Sequence, residues 1–292
     1  MTNKEKYIQL SANENYAAKI NLFAHPFWLN EVAENWDVCL FTKNEKIIAA
    51  LPYCWKGNLI TKRIYLPDLS FYQSVIFFEN IPEKNKIMQE LIKQLPKTIK
   101  TYFKFLPEYI DLNLSKLNYQ KEDYSTYIIH KNQKDFSFTT NHKRNIQKGL
   151  KYNYVIKESK IIESSFSILT STFSRQQLKS KINFKDFKEL NVLTKKHQCG
   201  KTLDCFDVDN NLLASAFILE DKQCVYYLMG GYSVNDKNSG AMTFLLNHII
   251  QYSQQQYKDF NFCGSSRKSI ANYFEGFGAT KTTVAIWKKS IL

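Results

Sequence analysis

Apolar residues alternate or run together in short stretches over 38–42, 47–55, 60–66, 73–78, 101–105, 109–114 and 124–130, which predicts a strand over each. Residues 82–97 break that rhythm. Ile87, Leu91, Ile92 and Leu95 fall at helical spacing there, and a short helix is expected over 25–36, with Pro26 suited to its first turn. Beyond residue 138 the helical period dominates at first. A basic helix is expected over 141–151, capped by Thr139, Thr140 or Asn141, and then a short strand over 154–157. Phe166, Leu169 and Phe173 share one helix face, and Phe184, Phe187 and Leu190 share another. Three strands follow at 202–208, 212–219 and 223–232, joined by the turn formers Asp209-Asn210-Asn211 and Glu220-Asp221-Lys222. A helix over 240–254, a strand over 259–263, a helix over 267–275 and a strand over 280–288 close the chain. This mixture predicts an α+β fold with mostly antiparallel sheets flanked by helices, and argues against a helical bundle or a sandwich.

Turn chemistry divides the chain. All six prolines precede residue 108, while eight of the nine glycines follow residue 148. Two domains are therefore expected, 1–135 and 136–292. Each reads as a helical opening, a run of strands, a helix and a strand, although no sequence repeat links them.

One stretch, 225–278, implies a site as well as a fold. Residues 225–229 are apolar throughout, as in a buried strand. Gly230-Gly231 then permits unusual backbone angles and close approach of another molecule. A polar loop leads through Lys237, Ser239, Gly240 and Ala241 into the next helix. Small residues at a helix start leave backbone N–H groups free, the helix dipole adds positive potential, and Lys237 adds charge. Such an arrangement holds phosphate groups; it also serves as an ordinary strand–loop–helix connection.

Composition narrows the partners. With 44% apolar and 15% aromatic residues the chain has material for sizeable cores. Its formal net charge of +13 invites a polyanion-binding reading. Only Arg63, Arg144, Arg175 and Arg267 carry the guanidinium fork that nucleic-acid readers favour, however, and the remaining basic side chains are lysines and a few histidines. The basic stretch His142, Lys143, Arg144, Lys148 and Lys151 is either a solvated helix face or a contact for a phosphorylated donor or a tRNA backbone. Six cysteines form no CxxC pair and no histidine stands at zinc-ligand spacing, so no metal site is expected. The cysteine pattern and the lack of any run of 18 apolar residues lead to the expectation of a cytoplasmic chain without a transmembrane segment, while the lysines leave a peripheral membrane contact open.

The strand–helix–strand–helix–strand order of the second half resembles the acyltransferase unit of the GNAT superfamily. The closing segment DFNFCGSSRKSIANYFEGFGA is similar, more specifically, to the FemABX-type branch, whose members carry two GNAT-like domains in tandem. The matching elements are the strand 260–262, the turn Gly264-Ser265, the helix with Ile270, Ala271, Asn272 and Tyr273, and the element Phe277-Gly278-Ala279. NHKRNIQKGL followed by YVIKES resembles the opening of that family's second domain, and the first half resembles its N-terminal domain more loosely.

The resemblance implies an acyltransferase that moves an acyl or aminoacyl group from acyl-CoA or aminoacyl-tRNA to a small-molecule or peptide amine. Gly230, Gly231, Lys237, Ser239, Gly240 and Ala241 would hold the donor, and the backbone at 228–231 would polarise its carbonyl. Tyr273 stands where many GNAT enzymes carry a general acid; packing of the last helix would equally explain it. Arg175, Ser265 and Arg267 are candidates for the acceptor side, with helix capping the alternative for Ser265 and solvated charge for Arg267. Lys237 occupies a position where CoA-dependent members usually have Arg or Gln, and Met242 one where they have Gly or Ala. Phe274 stands where tRNA-dependent members often have Lys. The donor thus stays open between the two, beside the alternatives of a ligand-binding module without turnover and a polyanion-binding protein.

Overall fold

A computed structural model describes residues 1–133, 137–175, 182–233, 239–264 and 267–291, with the side chains of 172–175 left aside. The chain forms two compact units, Met1–Ser125 with Thr283–Leu292, and Thr126–Thr282.

The first unit opens with α1 (Asn3–Ala12), α2 (Glu14–Ala17) and α3 (Pro26–Val32). Its strands are β1 (Asn35–Lys43), β2 (Lys46–Lys56), β3 (Arg63–Tyr65), β4 (Ile76–Phe77) and β5 (Lys100–Lys104), with α4 (Lys84–Lys93) before β5 and the closing strand β12 (Thr280–Ser290) returning to it. β1, β2, β3, β5 and β12 lie side by side in that order, antiparallel except for β3 and β5, and β4 pairs with β2. Strand alternation divides the core between two faces. Cys39, Leu51 and Tyr53 pack with Ile87, Leu91, Phe103 and Trp287. Val38, Leu40, Ala50 and Cys54 pack with Tyr7, Leu29 and Trp36.

One sequence expectation fails here and one helix escapes the sequence reading, each for an identifiable reason. The segment 109–114 is no strand: short 3-10 turns at Pro107–Tyr109 and Ser115–Leu117 flank it, the second closed by Asn118 in the left-handed region, and Leu112 and Leu114 are buried by the coil between them. The helix α1 was invisible to periodicity because it buries only Tyr7. A reciprocal Thr2/Glu5 capping box marks its start instead.

The second unit contains the end of β6 (Gln120–Ile129), α5 (Thr140–Lys151), β7 (Val155–Glu158), α6 (Ile162–Arg175), α7 (Phe184–Lys196), β8 (Gly200–Phe206), β9 (Leu212–Glu220), β10 (Cys224–Tyr232), α8 (Ala241–Gln255), β11 (Asp259–Asn261) and α9 (Lys268–Glu275). The strand order is β6, β11, β10, β9, β8, β7, antiparallel throughout except for β10 and β11. Helices cover both faces, which explains why β9 is apolar from Leu212 to Leu219 except at Ser215. Ala214, Ala216 and Ile218 meet Leu245, Leu246 and Ile249 of α8 on one side. Phe217 meets Phe187 of α7 on the other, with ring centroids 5.5 Å apart. On that second face Asp204, 2% exposed, accepts hydrogen bonds from Ser215 Oγ and, at 2.9 Å, from Ser165 Oγ. The carboxylate is thereby solvated by hydroxyls in place of water.

Candidate active site

The candidate site is built on the end of β10. The parallel ladder to β11 covers only Cys224 to Tyr226, yet β10 stays paired to β9 as far as Tyr232. The β9 ladder itself shifts register between Tyr227 and Met229, so Leu228 is a bulge. A bulge leaves its extra residue out of the ladder and re-aims the strand. Gly230 follows at once. A Cβ there would lie 2.1 Å from the Tyr227 hydroxyl and 2.7 Å from Met242 Cε, so the missing side chain is what lets the strand end, Tyr227 and the start of α8 converge.

Gly240 delivers α8 to this point. It is the N-cap residue, in the left-handed region at φ +76°, and no side chain caps the helix. The Ala241 N–H donates to Ser239 Oγ at 3.2 Å, and the Tyr154 hydroxyl donates to the Ser239 carbonyl at 3.2 Å. First-turn N–H groups beyond Ala241 have no intrahelical acceptor by helix geometry. α5 lies close alongside: a Cβ on Gly240 would sit 2.9 Å from Asn145 Cβ, and one on Gly149 would sit 2.3 Å from the Phe244 ring.

Tyr273 reaches the same place from α9. Its hydroxyl is 3.1 Å from Thr243 Oγ1 in the first turn of α8, and Asn145 Nδ2 donates to that same Thr243 oxygen at 3.5 Å. Burial pushes the Tyr273 pKa well up, with the Thr243 hydrogen bond partly opposing the shift. Burial, and secondarily the nearby Tyr273, does the same to Tyr227. Both phenols therefore keep their protons far beyond neutral pH. Behind them Phe274 stacks on Phe262 at 4.3 Å, which anchors α9 to the strand after which it follows.

Sequence reasoning missed His142. It was placed with the exposed basic residues of α5, but it is only 4% exposed, whereas Lys143, Arg144, Lys148 and Lys151 do face solvent. Its ring lies against Tyr273 with centroids 5.0 Å apart and edge-on to Phe277 at 4.3 Å. Nδ1 is 2.7 Å from Thr139 Oγ1, and Nε2 is buried without a hydrogen-bond partner. Burial lowers its pKa, with the Tyr273 backbone carbonyl partly opposing that. Gly276 makes room for the ring, since a Cβ there would fall 2.2 Å from the imidazole, a contact with no mark in the sequence.

Of the residues singled out from sequence, Gly230, Ser239, Gly240, Ala241 and Tyr273 come together here, and Gly231 continues β10 opposite Ser215. Arg267 is exposed and is the N-cap residue of α9, without a side-chain capping bond; its carbonyl accepts from the N–H groups of Ile270 and Ala271. Arg175 ends α6, but its side chain lies outside the described residues, as do Lys237 and Ser265 entirely.

No protein-family model matches the chain, and no curated protein matches its sequence. Solved structures do match its fold. FemX superposes with a TM-score of 0.72 at 10% identity, over 98% of this chain and 96% of that one. L-PGS from Bacillus licheniformis does so at 0.61 and 11%, over 98% and 92%. A tandem GNAT protein from the clavulanic acid biosynthesis pathway matches at 0.51 and 7%, over 99% and 94%. The fold is of the FemABX/GNAT type, an α+β arrangement of tandem GNAT-like units.

Proposed function

We propose that this protein transfers an acyl or aminoacyl group from an activated donor, acyl-CoA or aminoacyl-tRNA, to a primary amine, forming an amide. The observation that carries the reading is the meeting of three elements: the bulged end of β10 at Leu228–Gly230, the uncapped start of α8 at Gly240, and the Tyr273 hydroxyl bonded to Thr243. Each supplies one requirement of acyl transfer. The α8 start, entered through Ser239, Gly240 and Ala241, offers the first-turn backbone N–H groups beyond Ala241 to donor phosphates, to which Lys237 would add charge. Backbone N–H groups beside the bulge, ahead of Gly231, would stabilise the oxyanion. Tyr273, held protonated, acts as the acid.

In this reading the neutral amine nitrogen attacks the donor carbonyl carbon, and the C–S bond of a thioester or the C–O bond of an aminoacyl ester breaks. The Tyr273 proton goes to the departing sulfur or oxygen. The amine's own proton leaves to solvent, from which Tyr273 regains one. Arg175, Ser265 and Arg267 are proposed to face the acceptor.

The test is a transfer assay with panels of acyl-CoA, aminoacyl-tRNA and amines, read as amide product by mass spectrometry. Tyr273→Phe keeps the ring packing and removes the proton, and is expected to lower kcat by about 10²–10⁴-fold. Product formation at the wild-type rate by Tyr273→Phe would remove Tyr273 from the chemistry, and tight donor binding without any product would leave a binding module.

A further inference from the structure

One end of the first unit's sheet carries an unusual row of residues. Lys56 on β2 pairs in register with Arg63 on β3, and Arg63 with Lys100 on β5. Cross-strand partners share a face, so three cations stand side by side, an arrangement that is destabilising in water. None of the three has an ion pair among the described residues. The segments 56–63, 93–101, 115–119 and 287–291 all contain lysine and no Asp or Glu. Lys97, Lys116 and Lys289, with Lys93, which is ion-paired to Glu90 at 2.6 Å, line a cavity of about 410 Å³ with Tyr119 and Ile291.

The same end projects apolar side chains into solvent. Leu59 is 93% exposed and Ile60 82%, more than any other large apolar residue described. Their turn is rigid. Gly57 adopts φ +93°, and a Cβ on it would lie 2.6 Å from the Thr61 carbonyl. Asn58 Oδ1 accepts from the Ile60 and Thr61 N–H groups, both at 2.9 Å. Exposure here is thus held by the backbone. Ile99 and Ile291, also exposed, adjoin the turn through the backbone bonds Ile99 N–H to Lys62 and Ile291 N–H to Ile99. Lys62 lies over the Trp55 ring at 4.2 Å and Lys56 over Tyr65 at 4.6 Å, which keeps the ammonium groups beside half-buried aromatics.

We propose that this end of the first unit docks on an anionic phospholipid bilayer. Leu59 and Ile60 enter the interface, Trp55 and Tyr65 lie at headgroup level, and the row Lys56, Arg63 and Lys100, with the lysine-lined cavity, receives lipid phosphates. The charge complementarity decides the occupant. A protein groove would have to match a projecting aliphatic tip ringed by cations, whereas a bilayer supplies an apolar interior beneath a phosphate layer. Each cation near such a surface strengthens attachment about fivefold at low salt.

The experiment is co-sedimentation with vesicles of phosphatidylglycerol and phosphatidylcholine in equal parts, against pure phosphatidylcholine. Wild-type protein is expected to sediment with the anionic vesicles, and the pair Leu59→Ser with Ile60→Ser to lose about tenfold or more of that affinity. Both side chains are in solvent, so the variant folds, which circular dichroism checks. The emission of Leu59→Trp is expected to shift to the blue on vesicle addition. Wild-type protein left in the supernatant overturns the proposal, and so does unchanged sedimentation of the double variant. Loss of self-association or of RNA binding in the double variant, with no vesicle binding by wild type, assigns the face to a second copy or to RNA and overturns it as well.

Discussion

Tyr273 and His142 show how local surroundings set the chemistry of single residues. Burial raises the Tyr273 pKa, so the proton it would donate is still present where a free tyrosine has lost it, near pH 10. If Tyr273 is the acid, the alkaline limb of kcat lies above that value, and a limb near pH 7–8 ascribable to Tyr273 contradicts the assignment. His142 shifts the other way. The unfolded chain takes up a proton there below about pH 6.5, but the folded chain resists doing so. The unfolded state then binds more protons, so stability rises with pH, is fully present above the ordinary imidazole pKa and is lost as pH falls through it toward the lowered folded value. His197 and His248 are shifted in the same direction and share the effect. Thermal melts between pH 5 and 7 are expected to show a falling Tm on acidification, less steep in His142→Gln. An unchanged slope in that variant would mean that His142 titrates as freely in the fold as outside it.

At the scale of elements, the glycines decide how closely helices and strands approach, and two of them predict different outcomes. A Cβ on Gly276 would meet the His142 ring, which Tyr273, Phe277 and Thr139 hold in place. Gly276→Ala is therefore expected to cost about 1–3 kcal/mol in denaturant unfolding, the usual penalty of overpacking. A Cβ on Gly230 meets the flexible end of Met242 but also the phenol of Tyr227, which Phe262 and Phe274 hold edge-on. Gly230→Ala is therefore expected to cost about 1–3 kcal/mol as well and, unlike Gly276→Ala, to impair donor binding or turnover directly. A large loss of stability in Gly230→Ala with unaltered activity would show that the glycine serves packing alone. These elements were legible to different degrees. The second unit's strands and helices have strong periods, and the strand and the helix start expected in 225–278 are found there, but Gly230-Gly231 do not break β10, which stays paired to β9 as far as Tyr232. The bulge at Leu228 leaves no mark in composition, because a bulge is a matter of register against β9. His142 was misplaced because its neighbours Lys143 and Arg144 are polar and exposed, while the ring is buried by α9, which is far away in sequence. The segment 109–114 carried strand-like residues that the 3-10 turns on either side override.

For the whole molecule, the FemABX/GNAT-type fold accounts for the resemblance read from the closing segment, with 10% identity to FemX over almost the entire chain. At such identity the likeness is one of fold alone. Phe274, where a lysine was the alternative, is buried against Phe262 and Tyr227 and belongs to the core. No described helix is long and apolar enough to cross a membrane, and the bilayer contact proposed above runs through the cationic sheet end of the first unit. The net charge of +13 would favour that contact at low salt and weaken it as ions screen the surface. The central claim remains the donor site at the start of α8, and isothermal titration of the protein with acyl-CoA and with aminoacyl-tRNA tests it most directly. Saturable binding of one donor is expected, weakened at least about tenfold by Met242→Glu, which sets a carboxylate among the N–H groups meant for phosphate. Binding of neither donor, or equal binding by Met242→Glu, would contradict the account.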